Sequence, residues 1–294
     1  FDKSFFPSLP AKELFDKSSN TINNLKYLNI VLIFIVSLIK VNLYFVYLMP
    51  KFSIKTLINY SPNFTTSRRN QKMIKYIIFH YTGMSSESKA IKRLTDVNSK
   101  VSCHYFIKKN GSIILMVPEL YEAWHAGKSN WKRDFSLNRK SIGIEISNRG
   151  HQFGYESYSK SQIKSLIKLS KYLKAKYKIK RSNFLGHSDI AYNRKKDPGE
   201  KFPWKNLSEH KIGFWHNLNE SFLKKKRSVR ISKANEDKFF NFLFKQGFIL
   251  KSKNPKNKFL LVKSFQRHFR QKMINGIVDL ECLIIAEKLS KLSK

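Results

Sequence analysis

The sequence predicts an α/β fold, a mixed central β-sheet flanked by helices, followed by a small C-terminal domain of three helices. Three observations point there. Short β-branched and aromatic runs recur at Lys75–His80, Val101–Ile107, Ser141–Ser147 and Asn183–Leu185, each the length and composition of a buried strand. Amphipathic stretches fall between them, and strands interleaved with helices close into one covered sheet. Beyond residue 232 the strand signal stops and three helical stretches follow, enough to close a small core.

In chain order, the first methionine is Met49, after a start at Phe1. Residues 27–50 are apolar and long enough to span a bilayer of roughly 30 Å, a candidate membrane anchor. Lys17 and Lys26 precede it and Lys51 and Lys55 follow it, so flanking charge gives no orientation. Retained, this segment places the chain in the cell envelope, membrane-anchored or periplasmic; translation from Met49 would place it in the cytoplasm. Residues 51–74 are polar and basic and are expected to be a linker. Lys75–His80 then forms a strand that ends on His80 before Thr82-Gly83. Residues 86–96 carry Ala90, Ile91 and Leu94 at helical spacing behind a serine cap. Val101–Ile107 and the run from Ser112 pair as a hairpin across Asn110-Gly111.

His104 lies inside that hairpin, where a buried, hydrogen-bonded histidine is the simpler expectation. Ala123–Gly127 (AWHAG) combines an aromatic residue, a histidine and small residues in a loop, a binding-wall signature. Residues 128–140 read as polar loop. Ser141–Ser147 puts Ile142, Ile144 and Ile146 on one face, and Gly143, Glu145 and Ser147 on the other. Ser161–Tyr177 is an amphipathic helix with lysines opposite its apolar stripe. The next strand hands His187 to a loop after Gly186. Residues 217–232 read as a basic linker. Helices are expected over 236–246, 258–270 and 280–292. The resulting division is 1–50 anchor or extension, 51–74 linker, 75–216 catalytic domain, 217–232 linker and 233–294 helical domain.

Fifty-seven basic and 20 acidic residues give a formal charge of +37, which attracts polyanions of every kind. The basic residues are scattered through all segments, the pattern of a lysine-rich composition rather than of a dedicated nucleic-acid surface; no specific nucleic-acid partner is expected. Cys103 and Cys282 lie far apart and support neither a disulfide framework nor a cysteine metal site.

Two histidines at strand ends, His80 and His187, and one aspartate held by the turn-forming Pro198-Gly199, Asp197, offer three metal ligands and leave a fourth position open. That is the pattern of a catalytic zinc site. Glu145, whose small neighbours Gly143 and Ser147 leave room around its carboxylate, suits a general base, and Lys195 can stabilise an oxyanion. Taken singly, each has an ordinary alternative: a hydrogen-bonded rim histidine, a turn-capping aspartate, an exposed strand glutamate.

From Lys75 to Trp215 the chain resembles the zinc-dependent N-acetylmuramoyl-L-alanine amidases of the amidase-2 family, whose fold is shared with peptidoglycan recognition proteins. The resemblance is carried by FHYTG (79–83), VSCHYFI (101–107), LMVPE with AWHAG (115–127), SIGIEISNRG (141–150), GHSDIA (186–191), RKKDPG (194–199) and FPW (202–204). It implies Zn2+ on His80, His187 and Asp197, Glu145 as catalytic carboxylate and Lys195 as electrostatic partner; Tyr81, Trp124 and His125 are the candidate substrate-binding residues. The implied substrate is peptidoglycan or soluble anhydro-muropeptide, cut by a monomer between the muramic lactyl group and L-alanine. Tyr192-Asn193, Glu200-Lys201 and Cys103 depart from the family's usual residues without removing a ligand. VKSFQRHFR (262–270) and NGIVD (275–279) resemble three-helix peptidoglycan-binding modules, although Leu280-Glu281-Cys282 replaces the customary continuation. The competing expectation is a binder of muropeptide that does not cut it, and the full set of three ligands, Glu145 and Lys195 stands against it.

Overall fold

A six-stranded mixed sheet organises the computed structural model, which describes residues 54–292. The candidate anchor at 27–50 lies outside the described residues, among which no helix is long and apolar enough to cross a membrane. The strands are β1 (Leu57–Ile58), β2 (Phe64–Thr65), β3 (Tyr76–Tyr81), β4 (Tyr105–Ile107), β5 (Ile113–Leu115), β6 (Glu122–Ala123), β7 (Asn130–Trp131), β8 (Asp134–Phe135), β9 (Ser141–Ile146) and β10 (Phe184–Gly186). The helices are α1 (Glu87–Thr95), α2 (Lys160–Tyr177), α3 (His187–Ile190), α4 (Trp204–Glu209), α5 (Glu220–Lys226), α6 (Lys233–Gln246), α7 (Pro255–Phe269) and α8 (Leu280–Leu292). The main sheet runs β1-β5-β4-β9-β3-β10. Only the β4–β5 hairpin pairs antiparallel within it. The mixed sheet with flanking helices is thus as expected.

Alternation along β3 and β9 gives the sheet two different faces. Ile77, Phe79, Ile142, Ile144, Ile146 and Phe184 turn to one side, where Leu166, Leu169 and Leu173 of α2 cover them. Helix α2 starts at a reciprocal capping box between Ser159 and Gln162, which satisfies two of its orphan amides. Leu169 is fully buried, so Leu169→Ala would destabilise the fold by about 2–5 kcal/mol. On the opposite side, Tyr76, Ile78 and Leu185 join Phe239, Leu243, Leu261, Phe265 and Ile285 of the C-terminal helices in one cluster. Ala90 and Leu94 of α1 cover Phe106 and Ile114 on the other flank of that face. Neither cover includes His80 or Glu145, which pair in register across β3 and β9.

Both segments expected to be linkers carry structure. Residues 57–73 hold β1 and β2, and Arg69 is buried at 2 % exposure. Its guanidinium donates to the carbonyls of Glu119, Asn138, Arg139 and Ser141 at 2.8–3.1 Å, a set of acceptors that offsets the loss of water. Burial still draws its pKa down to about 10. In 217–232, Asn219 caps α5 and Leu223 is buried. Arg227 then holds both oxygens of Glu281 at 2.7 Å, the bidentate geometry that makes such pairs strong. Residues from Ile54 onward form one compact unit, because the C-terminal helices bury their apolar face against the sheet itself rather than only against each other.

Candidate metal centre and active site

Strand ends place the polar groups. His80 is the last but one residue of β3 and shares its sheet face with Glu145 of β9, directly across. His187 follows β10 and opens the one-turn helix α3, where the sequence suggested a loop. Asp197 returns to the same place because its carbonyl accepts the Ser188 amide at 2.8 Å. Two tyrosines hold the turn after it: Tyr155 and Tyr158 hydroxyls donate to the Pro198 carbonyl at 2.8 and 2.7 Å. Gly199 has φ +84°, and a Cβ there would lie 2.5 Å from the Tyr155 hydroxyl, so only glycine fits. Sequence patterning gave no sign of Tyr155 or Tyr158, which sit in a polar stretch without period.

Three donor atoms converge. His80 Nδ1 and His187 Nδ1 are 2.9 Å apart, and each is 3.0 Å from Asp197 Oδ2. All three residues are buried. Burial, reinforced by His187, draws the His80 pKa down to about 4, so its ring is neutral at pH 7 and offers a lone pair. Burial pushes Asp197 up, but the facing His187 and His80 rings outweigh it and hold the carboxyl well below its usual range. Two imidazole nitrogens and a carboxylate oxygen are the donors that zinc takes in catalytic sites. The outward nitrogens are also engaged: His187 Nε2 lies 3.1 Å from the Ala126 carbonyl and His80 Nε2 lies 3.0 Å from His125 Nδ1. Metal-ligating histidines characteristically have such outer partners.

The centre opens into a cleft of about 390 Å³ lined by Tyr81, Trp124, Glu145, Arg194 and Lys195 among others. Glu145 Oε2 is buried without a hydrogen-bond partner among the described residues. Burial, with Asp197 adding to it and Lys195 opposing, raises the Glu145 pKa to about 8. A buried carboxylate oxygen without a partner beside a three-donor cluster makes Glu145 a candidate for acid–base chemistry,. Tyr81 is anchored by its hydroxyl to His151 Nδ1 at 2.9 Å, and Trp124 by its indole N–H to Thr65 Oγ1 at 3.1 Å. Arg194 donates to the carbonyls of Ala126 and Lys128 at 2.5 and 3.0 Å, pinning the 124–128 loop.

His125 is placed behind His80, with its ring packed where the sequence suggested free space beside Gly143: a Cβ on Gly143 would fall 2.4 Å from His125 Cγ. His104 is fully buried, accepts the Gly143 amide on Nδ1 at 2.9 Å and stays outside the three-donor cluster, as expected of a structural histidine. Cys103 and Cys282 are both free thiols.

Residues 69–200 match the family model described as N-acetylmuramoyl-L-alanine amidase. Over 229 residues the chain is 35% identical to N-acetylmuramoyl-L-alanine amidase AmiD of Escherichia coli strain K12, an alignment that covers 74% of this chain and 82% of that protein. The chain belongs to the N-acetylmuramoyl-L-alanine amidase family. As a member of this amidase family it is a hydrolase of the N-acetylmuramoyl–L-alanine amide. The E. coli AmiD structure, a complex with the substrate anhydro-N-acetylmuramic acid-L-Ala-D-gamma-Glu-L-Lys, is similar at a TM-score of 0.66 and 31% identity, covering 78% of this chain and 92% of that one. AmpDh3 from Pseudomonas aeruginosa, solved in complex with anhydromuramic pentapeptide, is similar at a TM-score of 0.65 and 29% identity, covering 83% and 98%. The amidase and the fold expected from the motifs both agree with these similarities.

Proposed function

We propose that this amidase is zinc-dependent, with His80, His187 and Asp197 holding the metal, and that it releases the stem peptide from 1,6-anhydro-N-acetylmuramic or N-acetylmuramic acid during peptidoglycan turnover or recycling. The observation that carries this is the convergence of His80 Nδ1, His187 Nδ1 and Asp197 Oδ2 beside Glu145, whose Oε2 is buried without a partner among the described residues. The relatives' complexes with anhydromuropeptides support the substrate class. When bound, zinc would supply the positive charge that acidifies a water, polarises the lactyl carbonyl and lowers the Glu145 pKa from its raised value.

The chain's own groups then have these tasks. Glu145 takes a proton from the attacking water, whose oxygen bonds to the lactyl carbonyl carbon. As the C–N bond breaks, Glu145 passes that proton to the departing L-alanine nitrogen. Lys195, on the same cleft, offsets the negative charge that develops on the carbonyl oxygen. Tyr81 and Trp124 present aromatic wall to the muropeptide. The C-terminal helices are assigned as a peptidoglycan-binding-like module, and an envelope location would follow from retention of residues 27–50. The experiment is release of L-alanyl peptide from a defined anhydro-muropeptide: chelation should abolish it and added zinc restore it. Full turnover by metal-free protein would refute the metal assignment.

A further inference from the structure

A second cavity, of about 600 Å³, lies where the C-terminal helices meet the sheet domain, and it shares no lining residue with the cleft. We propose that it binds an N-acylated sugar bearing a free carboxylate, the class to which the amidase's own sugar product belongs. Cutting the amide leaves the oxygen of water on the lactyl carbonyl and the amino group on the peptide, so each stripped sugar gains a negative charge that the intact substrate sugar lacks. The inference rests on the assignment of the C-terminal helices as a peptidoglycan-binding-like module and gives that module a site and a ligand.

One wall of the cavity is aromatic. The half-buried Trp215 indole leans on the His216 ring at a centroid distance of 4.7 Å and on Phe269, at the end of α7, at 6.3 Å. Burial, with Lys205 of α4 adding to it, draws the His216 pKa down to about 4, so this ring carries no charge at pH 7. A flat, uncharged wall in a cavity of this size suits the C–H face of a pyranose ring. Gln271 stands on the same lining and donates its side-chain N–H to the Phe202 carbonyl at 2.7 Å. Its Oε1 has no partner among the described residues and is available to an acetamido N–H.

The charges on the lining decide the sign of the ligand. Its two carboxylates, Glu220 and Glu281, are already engaged: Arg227 donates to both oxygens of Glu281 at 2.7 Å and to Glu220 Oε1 at 3.3 Å. Arg270 donates to Asp279 Oδ2 at 2.5 Å and lies 3.4 Å from Glu281 Oε2, yet its Nε is buried without a partner among the described residues. Lys205 and Lys272 are exposed on the same lining and enter no ion pair among the described residues. Positive charge is therefore in excess, and two ammonium groups stand free where the acids are spent. A carboxylate beside an apolar ring face answers both the lysines and the indole.

The test is calorimetric titration of the full chain, with zinc present, by N-acetylmuramic acid and by N-acetylglucosamine, the same ring without the lactyl carboxylate. The acid should bind about tenfold more tightly than the neutral sugar. Lys205→Glu combined with Lys272→Glu, at two exposed positions, should abolish that preference, and Trp215→Ala should weaken both sugars by about tenfold. Release of L-alanyl peptide from a soluble anhydro-muropeptide should be unchanged in both variants, because these residues line neither the cleft nor the three-donor centre. Equal affinity for the two sugars, a preference that survives the double lysine substitution, or displacement of the acid by equimolar inorganic phosphate would overturn the proposal. The lysine variant decides the matter even if Trp215→Ala fails to fold. Peptide release lost together with sugar binding would trace the sugar to the cleft and overturn the second site. No peptide release by the unmodified chain would overturn the reaction and, with it, the product reading of the cavity; normal release without sugar binding would overturn the site alone.

Discussion

Among the described residues, two buried clusters bring histidine to aspartate, and they have opposite fates. In one, His80 and His187 share Asp197 Oδ2 at 3.0 Å and open onto the cleft. In the other, His268 Nδ1 meets Asp189 Oδ2 at 2.8 Å, with the imidazole stacked on Trp204 and Phe269 at ring-centroid distances of 3.6 and 3.8 Å. The same Asp189 oxygen also accepts the Gly186 amide at 2.7 Å. Both clusters are buried, so burial and His–Asp pairing do not by themselves make a metal centre. The difference is a second imidazole on the shared oxygen, where Asp189 Oδ2 has only a backbone amide beside its one ring, and an open side. The sealed pair acts instead as a fastening: it ties α7 to α3, the turn whose first residue is the proposed ligand His187, and Ser264 adds a hydrogen bond to the Ser188 carbonyl at 2.8 Å.

That contrast can be broken by substitution. The largest effect is expected from Asp197→Ala, which removes the oxygen on which both rings converge; elemental analysis should find no retained zinc, and peptide release should fall to background. Glu145→Gln comes next. It leaves the three donors in place, so zinc content should survive while kcat falls by about 10²–10⁴-fold; unchanged kcat would show that Glu145 is merely a strand residue.

A third expectation concerns pH in metal-free protein. Glu145 has its pKa raised from 4.5 to about 8 in the fold, chiefly by burial. The native state therefore holds a proton that the unfolded chain releases near 4.5, and this contribution to stability, full at low pH, is lost as pH rises toward about 8,. Glu145→Gln lacks the term. The stability of the unmodified chain relative to the variant should decline across that window, by on the order of a few kcal/mol; a difference independent of pH, measured by denaturant unfolding, would contradict the raised value. The smallest effect is expected from His268→Phe, which preserves stacking on Trp204 but deprives Asp189 of a partner. Stability should drop by about 1–3 kcal/mol, with zinc content and turnover per zinc unchanged. Loss of zinc in this variant would erase the distinction between the two clusters.

The two clusters also differ in how far they could be read from the sequence. His80, His187 and Asp197 were legible because strand ends and a Pro-Gly turn have local signatures, and Glu145 because strand period places it opposite the isoleucines. The apolar stripes at Leu166–Leu173 and Leu261–Phe269 announced their helices for the same reason. His268 was not legible as a fastening, since a docking contact between α7 and α3 leaves no periodic trace in either segment. Arg69 and Arg227 were hidden by polar, basic surroundings that read as linker; what holds them is a set of distant carbonyl and carboxylate acceptors. Gly143 suggested open space beside Glu145, whereas that space receives a ring from a loop 18 residues earlier in sequence.

Zinc titration of chelator-stripped protein, followed by release of L-alanyl peptide from anhydro-muropeptide, tests the three-donor centre most directly. Activity should be absent at the start, rise in proportion to added zinc and level off at one equivalent per chain. Full turnover before any zinc is added, or a plateau unaffected by Asp197→Ala, would contradict it.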